Sequence, residues 1–214
     1  MSQKNDIFRV VEILEKGPRH VRQLASDLGS NPTTAMRLLR QLEGANVVDF
    51  ETQGRNKTYS LKDTPEAHTH LLLAEHLKLL RLLKDPTMRK MWKRLKDATE
   101  GELIILYGSH AKGEATKRSD IDLYIETDNR ALKKEVEDIS EKLEVKAGKL
   151  DKNSLLSKEI VKDHVVLQNA ERFYDLTRWH PDRPSRPSPE KASSASSSPA
   201  RSSGKPTAGS RRAP

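Results

Sequence analysis

Two aspartates one residue apart, Asp120 and Asp122, follow the pair Gly108-Ser109 after a ten-residue spacer. The whole stretch, from Ile104 to Ile125, reads IILYGSHAKGEATKRSDIDLYI. In a strand, alternate side chains share a face, so Asp120 and Asp122 point the same way while Ile121, Leu123 and Ile125 turn into a core. Two carboxylates so placed form a hard oxygen site suited to Mg²⁺. Gly-Ser after an apolar run supplies free backbone N–H groups and a hydroxyl, the donors a phosphate needs. A surface loop with a solvated aspartate pair is the competing explanation.

Those residues need two strands to position them. The run Leu103 to Tyr107 has the length and composition of a buried strand, and Asp120 to Ile125 begins a second apolar alternation. Apolar strand, Gly-Ser, a spacer of about ten residues and Asp-x-Asp in a second strand resemble the signature of the polymerase β-like nucleotidyltransferase superfamily, and within it the minimal nucleotidyltransferases. Gly113 and Ser119 also stand where that family tends to have them, and the resemblance covers roughly residues 100–176. It implies that Asp120 and Asp122 hold Mg²⁺ ions bridging a nucleoside triphosphate, with ATP as the expected substrate, for in-line attack at the α-phosphorus. Gly108 and Ser109 would bind the terminal phosphates, and Lys112, Lys117 or Arg118 would neutralise the leaving pyrophosphate. Ser119 would cap the turn before Asp120.

Active members of the superfamily place a third acid on a neighbouring strand. Here that strand is Leu143 to Ala147, and Glu144 is the acid on the face opposite Leu143 and Val145. Glu144 is therefore the candidate third carboxylate, although Lys142 and Lys146 share its face and make a surface ion pair the alternative. Between the strands, Leu132, Val136, Ile139 and Leu143 are spaced for an amphipathic helix over Ala131–Leu143. A short helix over 154–163, a last strand Val165–Gln168 and a closing segment with Phe173 and Tyr174 complete an α+β domain over residues 99–180.

The N-terminal third has a different pattern. Ile7, Val10, Val11 and Leu14 fall at helical spacing, Gly17-Pro18 ends that helix, and Val21, Leu24, Ala25 and Leu28 mark a second. Asn31-Pro32 starts a third, with Asn31 as N-cap and proline in the first turn. Ala35, Leu38, Leu39 and Leu42 form its buried stripe. Val47–Phe50 and Lys57–Leu61 then read as two strands joined at Gly54. Three helices and a hairpin over residues 1–62 resemble the winged helix-turn-helix domains of prokaryotic regulators. The resemblance implies binding of duplex DNA, with Thr33, Thr34, Arg37 and Arg40 at the major groove and Arg55 and Lys57 on the wing. Merely solvated charges on a protein-interaction module are the alternative.

Residues 63–98 form a helical linker: Thr64-Pro65 opens one helix and Asp85-Pro86 separates it from a second. The leucines between Leu71 and Leu83 are too many for one stripe, so this helix is expected to be buried on several sides, against both domains or a second copy of itself. A homodimer through this helix is the expectation.

Charge follows the same division. Residues 1–62 carry ten basic and seven acidic side chains, and residues 101–180 carry fourteen and sixteen. The last segment, 181–214, holds seven and two, so most of the net +8 lies in the N-terminal part and this tail. Ser, Pro, Ala, Gly and Arg dominate the tail, without aromatic or branched apolar residues, which predicts disorder. With no cysteine, disulfides, zinc-thiolate sites and thiol catalysis are excluded. No apolar run reaches the ~20 residues of a membrane span, and a cytoplasmic location is the default expectation.

Two function classes follow. One is a Mg-dependent nucleotidyltransferase acting on a protein or small-molecule hydroxyl, coupled to DNA binding. Its nearest models are antitoxins that modify a small helical partner protein. The other is a DNA-binding regulator whose nucleotidyltransferase-like domain only senses nucleotide or binds a partner.

Overall fold

The computed structural model describes residues 3–54, 56–116, 118–151 and 153–177. Arg55, Lys117 and the tail expected to be disordered lie outside them.

The chain begins with α1 (Gln3–Glu15), a two-residue strand β1 (Arg19–His20), α2 (Val21–Asp27) and α3 (Pro32–Gly44). Asn31 caps α3 as its sequence predicts: its side chain accepts the Thr34 N–H at 2.8 Å. A hairpin follows, β2 (Val48–Gln53) and β3 (Asn56–Leu61), each longer than the apolar residues alone indicated. The strand β1 was not foreseen, because two residues carry no periodicity. It adds to β3 and makes an antiparallel sheet of order β1-β3-β2. Val10, Val11, Leu14, Leu24, Leu38 and Leu39 fill the core between these helices.

Next come α4 (Pro65–Leu82) and α5 (Pro86–Ala98), each with proline in its first turn and a side-chain N-cap, Thr64 and Asp85. The remaining elements are β4 (Ile104–Leu106), α6 (Gly108–Lys112), β5 (Ile121–Ile125), α7 (Arg130–Glu137), β6 (Leu143–Ala147), α8 (Leu155–Lys162), β7 (Val165–Gln168) and α9 (Ala170–Thr177). Their strands form a mixed sheet of order β6-β5-β4-β7, in which only β5 and β6 run parallel. The connection between those two is the helix α7, as a parallel pair requires.

Helix α7 is shorter than the sequence suggested. It ends at Glu137, and Leu143, expected as its last buried residue, instead opens β6, where it pairs with Ile121. Ile139 stays buried in the intervening turn, so the apolar spacing was satisfied without helix.

Both faces of the second sheet are covered. Ile104, Leu106, Leu123 and Val145 meet Met88, Met91 and Leu95 of α5 and Leu132 and Val136 of α7. Trp92 also donates its indole N–H to the Leu167 carbonyl at 3.1 Å, tying α5 to β7. On the opposite face, Ile105, Tyr107, Tyr124 and Val166 meet Ile160, Phe173 and Tyr174. Tyr124 shares the aspartate face of β5 and is buried there. The excess leucines of α4 are partly explained here, although Leu73 and Leu80 stay exposed. Leu71 packs against the N-terminal core and, with Leu72, against the sheet, while Leu79 and Leu82 reach the α5 side.

Candidate active site

The aspartates and the Gly-Ser pair are brought together by the end of β4 and the start of β5. Tyr107 donates its N–H to the Asp122 carbonyl at 3.0 Å, closing the last rung between the strands. Gly108 then turns the chain at φ +68°. A Cβ there would stand 2.2 Å from Asp122 Oδ2, so only glycine lets this backbone pass the carboxylate. What read as a Gly-Ser turn is the first turn of α6, which ends at Gly113 in the left-handed region. The loop beyond is closed by Ser119, whose hydroxyl accepts the Thr116 N–H at 2.9 Å, the structural role expected of it.

Asp120 is exposed just before β5, and Asp122 is half-buried within it. The parallel register sets Asp122 beside Glu144 of β6. Neighbouring carboxylates raise each other's proton affinity, and Asp122 shows it. Burial pushes its carboxyl up, Glu144, Glu159 and Asp120 push it further, and His110 pulls weakly the other way. Tyr107 is pushed up to about 12, by burial first and then by Asp122, Glu144 and Glu159. Glu144 itself is 54% exposed and bonded to Lys146 at 2.8 Å, which holds its carboxyl down. Asp120, Glu144 and Lys146 together line a cavity of about 370 Å³.

Two residues of this surround were missed in the sequence. Glu159 arrives from α8, 37 positions beyond Asp122, and nothing in the motif points to it. His110 lies inside the motif, but its place there carries no chemical signal by itself. Gly108 and Ser109 are half-buried at the start of α6, whereas Lys112 is exposed at its far end and lines a different cavity.

The residues named for DNA sit on α3 and the hairpin. Thr33 and Arg40 are exposed, while Thr34 and Arg37 are half-buried. Lys57 is exposed with its ammonium 3.5 Å from the centre of the Phe50 ring. Arg55 lies outside the described residues.

A second charged cluster lies between α1, α4, α9 and the start of β7. Glu75 is buried, accepts the Val166 N–H at 2.5 Å and pairs with Lys78. Lys78 also lies 3.5 Å from Glu15 Oε2 and 3.2 Å from His164 Nε2. The Tyr174 hydroxyl donates to Glu15 at 2.8 Å and to Glu75 at 3.3 Å. Glu15, Glu75 and His164 offer three ligand atoms within 4.8 Å of one another. The Lys78 ammonium already touches all three, so the chain supplies its own cation there. Burial alone would push the Glu75 carboxyl up, but Lys78 and His164 outweigh it and lower it to about 2.

A family model, the nucleotidyltransferase domain, matches residues 88–180, from α5 to beyond α9. Such domains transfer a nucleoside monophosphate from a nucleoside triphosphate and generally use a divalent metal. The match takes in the whole mixed sheet and leaves residues 1–87 outside it. No curated protein matches the chain. Among the described residues no helix is long and apolar enough to cross a membrane.

Proposed function

We propose that the protein is a Mg-dependent nucleotidyltransferase that moves a nucleoside monophosphate, with ATP as the expected donor, onto a hydroxyl of a protein or small molecule. The observation that carries this reading is the packing of Gly108 against Asp122: a carboxylate pressed on the opening turn of α6, with Glu144 in register beside it. The donor set fits Mg²⁺, since the carboxylates are hard oxygen ligands and their mutual repulsion calls for a cation. Asp120 and Asp122 would hold the metal, which supplies charge neutralisation at the triphosphate and a template for in-line attack. Gly108 and Ser109 N–H groups, with the Ser109 hydroxyl, would hold phosphate oxygens. Glu144 would accept the proton of the attacking hydroxyl.

The N-terminal part supports a winged helix-turn-helix reading. Three helices and the β1-β3-β2 sheet place exposed Thr33 and Arg40 on α3 and Lys57 on the hairpin, so duplex DNA is the partner we assign to it. Binding should weaken steeply with salt as counterions are released. Arg37→Ala should cost on the order of 1–3 kcal/mol if that side chain reads a base edge. Equal affinity of the Arg37→Ala/Arg40→Ala/Lys57→Ala variant for duplex DNA would remove the assignment.

One observation favours the sensor reading: Glu144 is bonded to Lys146 and not directed at Asp122 alone. Incubation with α-labelled nucleoside triphosphates, Mg²⁺ and cell lysate decides between them. The enzyme should label an acceptor. Asp120→Asn/Asp122→Asn should keep the fold and lose Mg-ATP binding by calorimetry. Glu144→Gln should keep that binding and lose at least about 10²-fold in transfer rate. Mg-ATP affinity unchanged in the double aspartate variant would sink the nucleotidyltransferase reading. Binding without transfer to any acceptor would leave the regulator.

A further inference from the structure

A cavity of about 920 Å³ opens beside the far end of α6, away from Gly108. Lys112 and the loop residues Gly113, Thr116 and Ser119 form one wall; α1, the end of α4 and the α8–β7 junction form the others. Its size falls within the range of small-molecule sites. Six Lys and Arg side chains and four carboxylates line it.

All four carboxylates are engaged. Arg81 donates to both oxygens of Glu12 at 2.7 Å, and Lys16 meets Asp163 at 2.6 Å. Glu15 is held by Lys78 and Tyr174, and Asp85 caps α5 by accepting the Thr87 and Met88 N–H groups at 2.7 and 3.2 Å. Lys112 and Lys162 have no carboxylate partner among the described residues. The cavity thus has cationic capacity to spare and no acid left to use it, which suits an anion of more than one charge.

We propose that this cavity receives the polyphosphate end of the nucleotide, and that Lys16 of α1, Arg81 of α4 and Lys162 of α8 share its charge with Lys112. The inference rests on the nucleotidyltransferase reading above and adds to it a site to which α1 and α4, outside the matched segment, contribute. Helix α6 links the two places, since Gly108 and Ser109 stand at one end and Lys112 at the other. Arg81 holds Glu12 through one terminal nitrogen, which leaves its other N–H groups for a phosphate, and Lys16 is 52% exposed. A guanidinium also matches a phosphate bidentately. Because α1 and α4 carry two of these cations, nucleotide occupancy would be felt directly by the N-terminal part.

Calorimetry on the full chain without Mg²⁺ tests this, with tripolyphosphate, pyrophosphate and inorganic phosphate as probes. Affinity should rise with the number of phosphates. The Lys16→Gln/Arg81→Gln/Lys162→Gln variant should bind tripolyphosphate at least about tenfold more weakly, and Val161→Trp, which fills the cavity from α8, should do the same. Circular dichroism checks that each variant is folded, and Arg81→Gln alone provides a milder change with a loss in the same direction. Wild-type affinity for tripolyphosphate in the triple variant and in Val161→Trp would overturn the inference, as would equal affinity of the wild type for all three anions. If Mg-ATP still bound in those variants and failed only in Asp120→Asn/Asp122→Asn, the nucleotidyltransferase reading would survive that result. Failure of the wild type to bind either Mg-ATP or tripolyphosphate would overturn both.

Discussion

The molecule holds two groups of carboxylates that meet opposite fates. Glu75 and Glu15 are taken from water but come with Lys78, a tyrosine hydroxyl and a backbone N–H, so the Glu75 carboxyl is held down at about 2. Asp120, Asp122 and Glu144 sit at the surface end of a strand pair, and there burial first and then the neighbouring carboxylates raise Asp122. The first group carries its own cation and joins α1 and α4 to the sheet. The second has a deficit of positive charge that Lys146 meets chiefly at Glu144. A cluster that completes itself needs no ligand; one left short of a cation has charge that a bound cation would meet. That contrast separates the Asp120–Asp122 site from the Glu15–Glu75–His164 group, although the latter has the more compact ligand geometry.

The strongest way to break the contrast is to remove the internal cation. Lys78→Met leaves two carboxylates facing each other in a buried place and should cost about 3–5 kcal/mol in urea unfolding. The same cluster sets a pH limit. A carboxyl lowered by folding gives stability that is complete above its unfolded value near 4.5 and lost as pH falls toward about 2, so wild-type stability should drop in that window. The drop should be smaller in Lys78→Met, where only the His164 share of the attraction remains. An identical acid profile in both proteins would show that Lys78 does not hold Glu75 down.

A smaller effect is expected at Gly108. Gly108→Ala combines a left-handed φ with a contact on Asp122 and should cost roughly 1–3 kcal/mol, together with loss of Mg-ATP binding. Wild-type Mg-ATP affinity in that variant would show that the close approach is not needed by the site. The smallest change, and one of opposite sign, belongs to Asp122. Folding raises its carboxyl, so the ionised form opposes folding above that raised value, and the penalty fades as pH falls below it. Asp122→Asn should therefore leave melting temperature at neutral pH equal or slightly higher, and should cancel the rise that Mg²⁺ is expected to give the wild type. A melting temperature several degrees below wild type would place Asp122 with the structural cluster instead.

Much of this was legible locally. The Gly108-Ser109 to Asp120-x-Asp122 spacing, the strands around it, the Asn31-Pro32, Thr64-Pro65 and Asp85-Pro86 helix starts and the stripe of α3 all depend on neighbours within a few positions. Steric and capping preferences act at that range, so sequence reports them. The leucine excess of α4 was also visible, but not which surfaces would cover it. The end of α7 was misplaced because an apolar residue satisfies a helix stripe and a strand alternation equally well, and pairing of Leu143 with Ile121 decided between them.

What only the tertiary structure decided are the encounters across long separations. Glu75 meets Val166 91 positions away, Tyr174 meets Glu15 across 159, and Glu159 enters the field of Asp122 from helix α8. A sequence lists these as isolated charges, and the bland reading of each is a solvated side chain. Whether a carboxylate is neutralised, crowded or merely wet depends on which elements pack beside it. The chain by itself therefore determined the residue types and spacing of the Asp120–Asp122 motif. Folding determined which charges are already satisfied, because Coulomb energy depends on distance and burial and not on position in the chain.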